Sequence, residues 1–263
     1  MTYRALTRRL REAGIASPAT DARILLAHFC HADAAALFAE PERDYTSEAL
    51  DAAVRAREAR VPLQHILGEA HFYGNRFAVS SACLIPRADT EVLVEEACRL
   101  LPEGAHFADF CTGSGCIAIS VLAARPDTTA LAVDVSCDAL AMAEQNARAC
   151  GVWERISLLS ADLLTDEVPS PAYILSNPPY IQRDVIPTLD PELSHEPVIA
   201  LDGGEDGLDF YRALLARFSP RLFLFEIGYD QADAVSTLGR ARGYTATVKK
   251  DLGGNDRVVI LTR

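Results

Sequence analysis

From residue 106 onward the chain alternates short apolar runs with amphipathic stretches, and this alternation limits the fold more than any other property of the sequence. The runs are His106 to Phe110, Thr129 to Asp134, Ile156 to Ser160, Ala172 to Ser176, Arg221 to Ile227, Tyr244 to Lys249 and Arg257 to Thr262. Strands separated by helical stretches build βα units, which wind into a mostly parallel sheet covered by helices. A parallel crossover needs about a dozen residues, yet only Lys250 to Asp256 separate the last two runs. Those two must pair as an antiparallel hairpin. The expected fold class is α/β: a seven-stranded, mostly parallel sheet with one antiparallel edge strand.

The first 60 or so residues carry a helical pattern instead. Thr2 can cap a helix whose apolar face is Leu6, Leu10 and Ala13 and which Gly14 would end. Ser17-Pro18 opens another, with serine at the cap, proline in the first helical position, and Ala22, Leu25, Leu26 and Phe29 on one side. A third begins near Thr46-Ser47, carries Leu50 and Val54, and stops before Pro62. A small helical bundle is expected. His71-Phe72-Tyr73 and Arg76-Phe77-Ala78-Val79 then flank Gly74-Asn75, a turn that accepts positive φ, so this stretch reads as a β-hairpin. A helix from about Asp89 to Leu101 leads into the first strand of the sheet. The expected organisation is a helical domain over residues 1–70, a hairpin linker over 71–86 and a wound-sheet domain over 87–263.

Composition narrows the class of partner. With 49% hydrophobic and 24% charged residues the chain can bury a real core. Lys and Arg total 25 against 37 Asp and Glu, a net charge of −12 that opposes direct, stable binding to a nucleic-acid backbone. No stretch approaches the roughly 20 apolar residues of a bilayer span, and Met1 to Leu6 lacks the apolar run of a signal peptide. The 7 cysteines are odd in number and form no CxxC pair. A cytoplasmic monomer with reduced thiols and no membrane association is the expectation. His28 and His31, and His65 and His71, have no carboxylate or cysteine spacing that completes a metal site, so no metal is expected. Cys111 and Cys116 read as core thiols in preference to a redox pair. Glu91, Glu95 and Glu96 read as a solvated helix face, with an approach of Glu91 to a cofactor ammonium as the other reading.

Two segments carry chemistry. In Asp109-Phe110-Cys111-Thr112-Gly113-Ser114-Gly115-Cys116, small residues at a strand-to-helix turn let backbone N–H groups approach a ligand closely. Asp134 ends the next strand, where a carboxylate suits the two hydroxyls of a ribose, so an adenosine-bearing cofactor fits. Ala118 stands where the GxGxxG fingerprint has its third glycine, and the looser form of that fingerprint allows alanine. A dinucleotide and S-adenosylmethionine therefore both remain open on these residues.

The second segment, Ser176-Asn177-Pro178-Pro179-Tyr180, ends the fourth strand. Two prolines fix φ at successive residues, remove two backbone donors and hold Asn177 extended. The side-chain oxygen of Asn177 and the carbonyl of Pro178 can then face one ligand, with the ring of Tyr180 beside them. Such a loop matches a conjugated –NH2 group, a carboxamide or the exocyclic amine of adenine or cytosine. Its nitrogen is a poor nucleophile, and two acceptors would orient it and stabilise positive charge as it attacks an electrophilic methyl.

With these motifs in place the chain resembles the HemK/PrmC family, the protein-(glutamine-N5) methyltransferases that act on peptide chain release factors. The resemblance rests on Pro62-Leu63-Gln64-His65-Ile66-Leu67-Gly68, Ile85-Pro86-Arg87, Thr112-Gly113-Ser114-Gly115, Asn177-Pro178-Pro179-Tyr180, Glu196-Pro197-Val198-Ile199-Ala200-Leu201 with Gly203-Gly204 and Asp206-Gly207-Leu208, Glu226-Ile227-Gly228 and Asp256-Arg257-Val258-Val259. It implies a Rossmann-like class I methyltransferase domain behind a small helical substrate-recognition domain. It also implies the reaction: methyl transfer from S-adenosylmethionine, leaving S-adenosylhomocysteine, to the side-chain amide nitrogen of the glutamine in the Gly-Gly-Gln motif of a release factor. By motif, Cys111, Thr112, Gly113, Ser114 and Gly115 would line the cofactor, Asp134 would hold its ribose, Leu163 would lie near adenine and Asn177 beside the cofactor. Asn177, Pro178, Pro179 and Tyr180 would hold the glutamine, with Asn177, Pro178 and Tyr180 as the catalytic set. Three residues depart from the family pattern: Cys111 stands for glycine, Ala88 for proline and Leu163 for an aromatic residue. The alternative function, an N6-adenine or N4-cytosine nucleic-acid methyltransferase, shares the tetrapeptide, and the acidic charge disfavours it.

Overall fold

Leucines four apart organise the N-terminal helices. In the computed structural model, which describes residues 1–263, Leu6 and Leu10 share the buried face of α1 (Tyr3–Glu12), and Thr2 accepts the Ala5 N–H at 3.1 Å to cap it. Ser17 occupies the cap position of α2 (Pro18–Cys30) but makes no side-chain capping bond; the start rests on Pro18. The short α3 (Ala34–Ala39), unforeseen in the sequence, is capped by Asp33, which accepts from Ala35 and Ala36. Ser47 caps α4 (Glu48–Glu58). Pro62 then stands just before α5 (Leu63–Leu67), which Gly68 stops in the left-handed region. Leu6, Leu10, Leu25, Leu26, Leu50 and Val54 meet in one core.

The chain divides into two units, Met1–Gly68 with Asp190–His195, and Glu69–Leu189 with Glu196–Arg263. The first unit therefore borrows six residues from late in the sequence. Glu192 fixes them: it accepts from Arg57 Nη1 and Nη2, each at 3.0 Å, and from Arg60 Nη2 at 2.6 Å, while Arg57 Nε donates to Asp21 at 2.8 Å.

The second unit starts with a hairpin of β1 (Glu69–Phe72) and β2 (Asn75–Ala78). Phe72 pairs with Asn75, so the turn is Tyr73-Gly74, one residue earlier than the sequence suggested. Both turn residues take positive φ, 47° and 74°. The Tyr73 N–H, which the expected register would have used in the ladder, donates to Glu91 Oε1 at 2.7 Å. Glu91 thus holds the hairpin instead of facing solvent or a cofactor, and Phe72 and Phe77 enter the core of the sheet unit.

A 3₁₀ turn (Ala88–Thr90) precedes α6 (Glu91–Leu100). There follow β3 (His106–Phe110), α7 (Cys116–Ala124), β4 (Thr129–Asp134), α8 (Cys137–Ala149), β5 (Ile156–Ser160), β6 (Tyr173–Ser176), α9 (Asp209–Arg217), β7 (Leu222–Glu226), α10 (Ala232–Ala241), β8 (Thr245–Lys250) and β9 (Asp256–Thr262). The sheet runs β5-β4-β3-β6-β7-β9-β8, parallel except for β9, which is antiparallel to both neighbours.

The α/β class, the seven strands and the final hairpin agree with the sequence. The reversed strand does not lie at the edge, as expected; it sits one place in, between β7 and β8. Burial explains this. Val258 and Ile260 pack into one core layer and Val259 and Leu261 into the other, so β9 is apolar on both faces, the pattern of a strand inside a sheet that is covered on both sides. β8 is half-exposed, and its Lys249 and Lys250 suit an edge.

Strand order reverses beside β3: β4 and β5 lie to one side, β6 and β7 to the other. At such a switch point the loops leaving the carboxyl ends of neighbouring strands diverge and open a crevice. The loops after β3 and β6 are those carrying the glycines and Asn177. No helix is long and apolar enough to cross a membrane.

Candidate functional site

The loop after β3 coils through three left-handed residues, Cys111, Gly113 and Gly115, at φ 60°, 55° and 79°. A Cβ on Gly115 would lie 2.7 Å from Ile119 Cδ1 and 3.1 Å from Ala143 Cβ, so glycine there lets α7 pack against α8. Cys111 adopts a conformation that costs an L-residue about 1–2 kcal/mol, which gives a physical reason for the glycine of the family pattern. Its side chain packs on the core layer that includes Phe110 and Leu163. Burial raises the pKa of the Cys111 and Cys116 thiols and pushes Cys83 up to about 11. All three stay protonated and poorly nucleophilic at neutral pH, as core thiols should.

Asp109 anchors the loop from beneath. It is buried, and one oxygen accepts from Thr112 Oγ1 at 2.6 Å and from the Ala118 N–H at 3.1 Å. The other has no partner, and desolvation pushes the carboxyl up to about 7. Asp134, at the end of β4, accepts the Gly113 N–H at 2.9 Å on one oxygen and the Ser136 N–H at 3.0 Å on the other. Burial raises its pKa and these donors offset part of the shift. Each oxygen retains a lone pair, so the carboxylate can still accept two hydroxyls.

These elements surround a mostly apolar cavity of about 260 Å³. Cys111, Thr112, Gly113, Ser114, Asp134, Leu163, Asn177 and Pro179 line it. Three of the residues singled out in the sequence do not. Gly115 serves helix packing, Pro178 is buried, and Tyr180 is half-buried against the core layer that includes Phe110 and Tyr211. Ile85, Thr90, Ile199 and Phe210, which carried no assigned role in the sequence, are among the other residues that line it.

The Asn177 segment is braced from behind. Ser176 Oγ donates to the Phe110 carbonyl at 2.7 Å, tying the end of β6 to β3. Gln231 Nε2 donates to the carbonyls of Tyr180 at 2.9 Å and Gly207 at 3.2 Å. The Gly203 N–H donates to Ile181 at 2.8 Å and the Ile181 N–H to Leu201 at 3.0 Å. A Cβ on Gly203 would lie 2.7 Å from Tyr180 Cα. The Gly-Gly and Asp-Gly steps of the sequence are therefore the places where two backbones touch.

Glu196 closes the rim. Only 4% exposed, it accepts the Ile85 N–H at 2.9 Å and pairs with Arg87, joining two cavity-lining segments far apart in sequence. Glu196→Ala would leave the Ile85 N–H and Arg87 without this acceptor, and a charged hydrogen bond of this kind is worth about 1.5–3 kcal/mol. The expected result is a loss of that size in urea unfolding, with Glu196→Gln retaining about half of it.

Glu226 was also without a role in the sequence reading. It ends the apolar run Leu222 to Phe225, and it is buried with Oε2 unpartnered. A carboxylate that closes a fully buried strand next to the Asn177 strand was the available signal.

Residues 2–68 match the PrmC N-terminal domain and residues 87–193 the methyltransferase small domain. A release factor glutamine methyltransferase of Caulobacter vibrioides is 41% identical over 266 residues, covering 96% of this chain and 92% of its own. One of Cereibacter sphaeroides is 43% identical over 267 residues, covering 97% and 95%. A crystal structure of the release-factor-specific protein-(glutamine-N5) methyltransferase of Alicyclobacillus acidocaldarius is 35% identical, covers 71% of this chain and 99% of its own, and superposes with a TM-score of 0.42. Identity at this level along nearly the whole length, together with the braced Asn-Pro-Pro-Tyr loop beside the cavity, means that the chain belongs to the release factor glutamine methyltransferase family.

Proposed function

We propose that the protein transfers a methyl group from S-adenosylmethionine to the side-chain amide nitrogen of the glutamine in the Gly-Gly-Gln motif of peptide chain release factors. The observation that carries this reading is the rigid acceptor loop, Asn177 to Tyr180, backed by glycines and opening beside a cavity suited to a nucleoside. The residues fit that cofactor. Asp134 has free acceptor capacity on both oxygens, Gly113 carries no Cβ toward the cavity it lines, and Leu163 supplies a buried apolar wall in place of an aromatic ring.

In this reading Cys111 to Ser114 and Leu163 hold the cofactor, Gly115 shapes the turn behind them, Asp134 accepts from the ribose, and Asn177 lies at the boundary between cofactor and substrate. When bound there, S-adenosylmethionine would supply an electrophilic methyl on a sulfonium, with S-adenosylhomocysteine as the product. Asn177 Oδ1 and the Pro178 carbonyl take the two hydrogens of the glutamine amide and raise the electron density on its nitrogen. Tyr180 bounds the glutamine, and Pro179 stiffens the loop. No strong base is needed before attack, since the amide proton leaves afterwards. The helical domain over residues 1–70 reads the release factor, the wound-sheet domain over 87–263 performs the transfer, and the protein works in the cytoplasm as a monomer, without a metal and without a stable grip on nucleic acid.

Incubation with labelled S-adenosylmethionine and, separately, a release factor and DNA tests this. Label on the glutamine peptide of the release factor is expected; label on DNA alone would overturn it. For the cofactor site, Asp134→Ala removes both ribose acceptors, and calorimetry should show binding weakened about 10- to 100-fold, the equivalent of one charged hydrogen bond.

A further inference from the structure

A carboxamide such as that of Asn177 has two ends of nearly the same shape, one an acceptor and one a donor. Only one rotamer presents Oδ1 to a substrate amide; the flipped one presents Nδ2 and repels it. Something in the protein must hold the group one way. Thr90 Oγ1 accepts from Asn177 Nδ2 at 3.5 Å, a long bond that cannot fix the flip alone.

The second partner comes from the neighbouring strand. β6 and β7 run parallel with Ser176 opposite Phe225, so the next residues, Asn177 and Glu226, stand side by side at the carboxyl edge of the sheet. The Glu226 carboxyl is 2% exposed, its Oε2 is without a partner, and Thr90 and Asn177 stand beside the group as the side-chain donors that favour its charged form. Glu226 does not line the cavity, whereas Thr90 and Asn177 do.

We propose that Glu226, resting on the reading of Asn177 as the substrate's acceptor, is the positioning residue that sets the Asn177 carboxamide: as an acceptor-only carboxylate it draws Nδ2 toward itself and leaves Oδ1 for the substrate. When the carboxyl is protonated it gains a donor, and the flipped carboxamide becomes equally satisfied. The groups facing Glu226 are Thr90 and Asp89 from the 3₁₀ turn, Cys116 of α7, Asn177 and Tyr180 after β6, Tyr211 of α9 and Arg257 of β9. Burial pushes its carboxyl up to about 7 against the pull of Thr90, Arg257 and Asn177, so the lock weakens as pH falls through neutrality.

The test begins without any ligand. In ¹⁵N spectra of the protein, the Asn177 side-chain amide signals, identified by their loss in Asn177→Ala, should shift with an apparent pKa near 7 and should stop shifting in Glu226→Gln. With release factor as substrate and saturating cofactor, Glu226→Gln should lower kcat about 10- to 100-fold, the scale of a misoriented group. KM and the calorimetric cofactor affinity should stay within about twofold, because the residue lies outside the cavity wall. An Asn177 signal that titrates identically in the variant, or a kcat within about twofold of the unmodified protein, overturns the proposal. Thr90→Val, which removes the shared hydroxyl and preserves shape, should give a smaller kcat loss in the same direction, and it decides the matter if Glu226→Gln proves unfolded. An unmodified protein that methylates no release factor would instead refute the function proposed above and leave the spectroscopic result standing.

Discussion

Asn177→Ala is expected to reduce methyl transfer about 100- to 1,000-fold while leaving the fold in place. The magnitude follows from what is removed: one preorganised acceptor aimed at charge that develops only during transfer, a loss that in comparable sites costs 10²–10³ in rate. The ground-state fold depends little on this side chain. Asn177 is half-buried, and its side-chain partners are Thr90, at a long 3.5 Å, and the neighbouring Glu226, so its removal should change stability by about 1 kcal/mol. Single-turnover rates, read with circular dichroism and cofactor calorimetry, check the claim. Near-normal turnover would show that the loop binds the substrate without polarising it. A collapse in cofactor affinity that matched the loss of rate would mean that Asn177 serves mainly the cofactor.

Gly207→Ala should damage stability and activity together. Gly207 sits at φ 74°, where an L-residue costs about 1–2 kcal/mol by itself. Its new Cβ would also lie 2.6 Å from Gln231 Nε2 and closer still to the Tyr180 carbonyl. The donor and acceptor of one brace would both have to move. A loss of about 2–4 kcal/mol is expected, seen as a fall in Tm of roughly 5–10 °C, along with a drop in kcat because the Tyr180 carbonyl is part of the segment that carries Asn177. Gly151→Ala is the control. Gly151 has a similar φ of 70° with nothing near its would-be Cβ, so it should lose only the conformational term and keep full activity. Equal effects at both positions would show that the brace has no special role.

What could be read in the sequence divides along a physical line. Helix starts, strand runs and the final hairpin come from local chemistry: Thr2 and Ser47 cap as their residue types suggest, and a seven-residue gap forbids a crossover. The position of β9 inside the sheet was harder to see, because it depends on which strands offer a free edge for pairing, a tertiary choice that the run Val258 to Leu261 only hints at. The hairpin turn moved by one residue for the same reason, since Glu91, well downstream, captures the Tyr73 N–H. At the site, the glycine loop, Asp134 and Asn177 were legible because ligand contact demands unusual residues at strand ends. Glu196 and Gln231 were not, because a buried carboxylate or amide that braces a loop looks in sequence like any surface polar residue, and Glu226 was marked only by closing the apolar run Leu222 to Phe225. Only the fold shows that Glu196 meets Ile85 and Arg87, or that Glu226 neighbours Asn177.

The six residues Asp190 to His195, held in the first unit by the two arginines that clasp Glu192, make that unit inseparable from the rest in a practical sense. A fragment ending at Gly68 would contain the whole match to the PrmC N-terminal domain, yet it would leave two guanidinium groups without the carboxylate that pairs with them, which lies more than a hundred positions later. Such a fragment would be an incomplete folding module, and cutting the polypeptide at its apparent sequence boundary should yield a less cooperative piece than the same helices show within the intact chain.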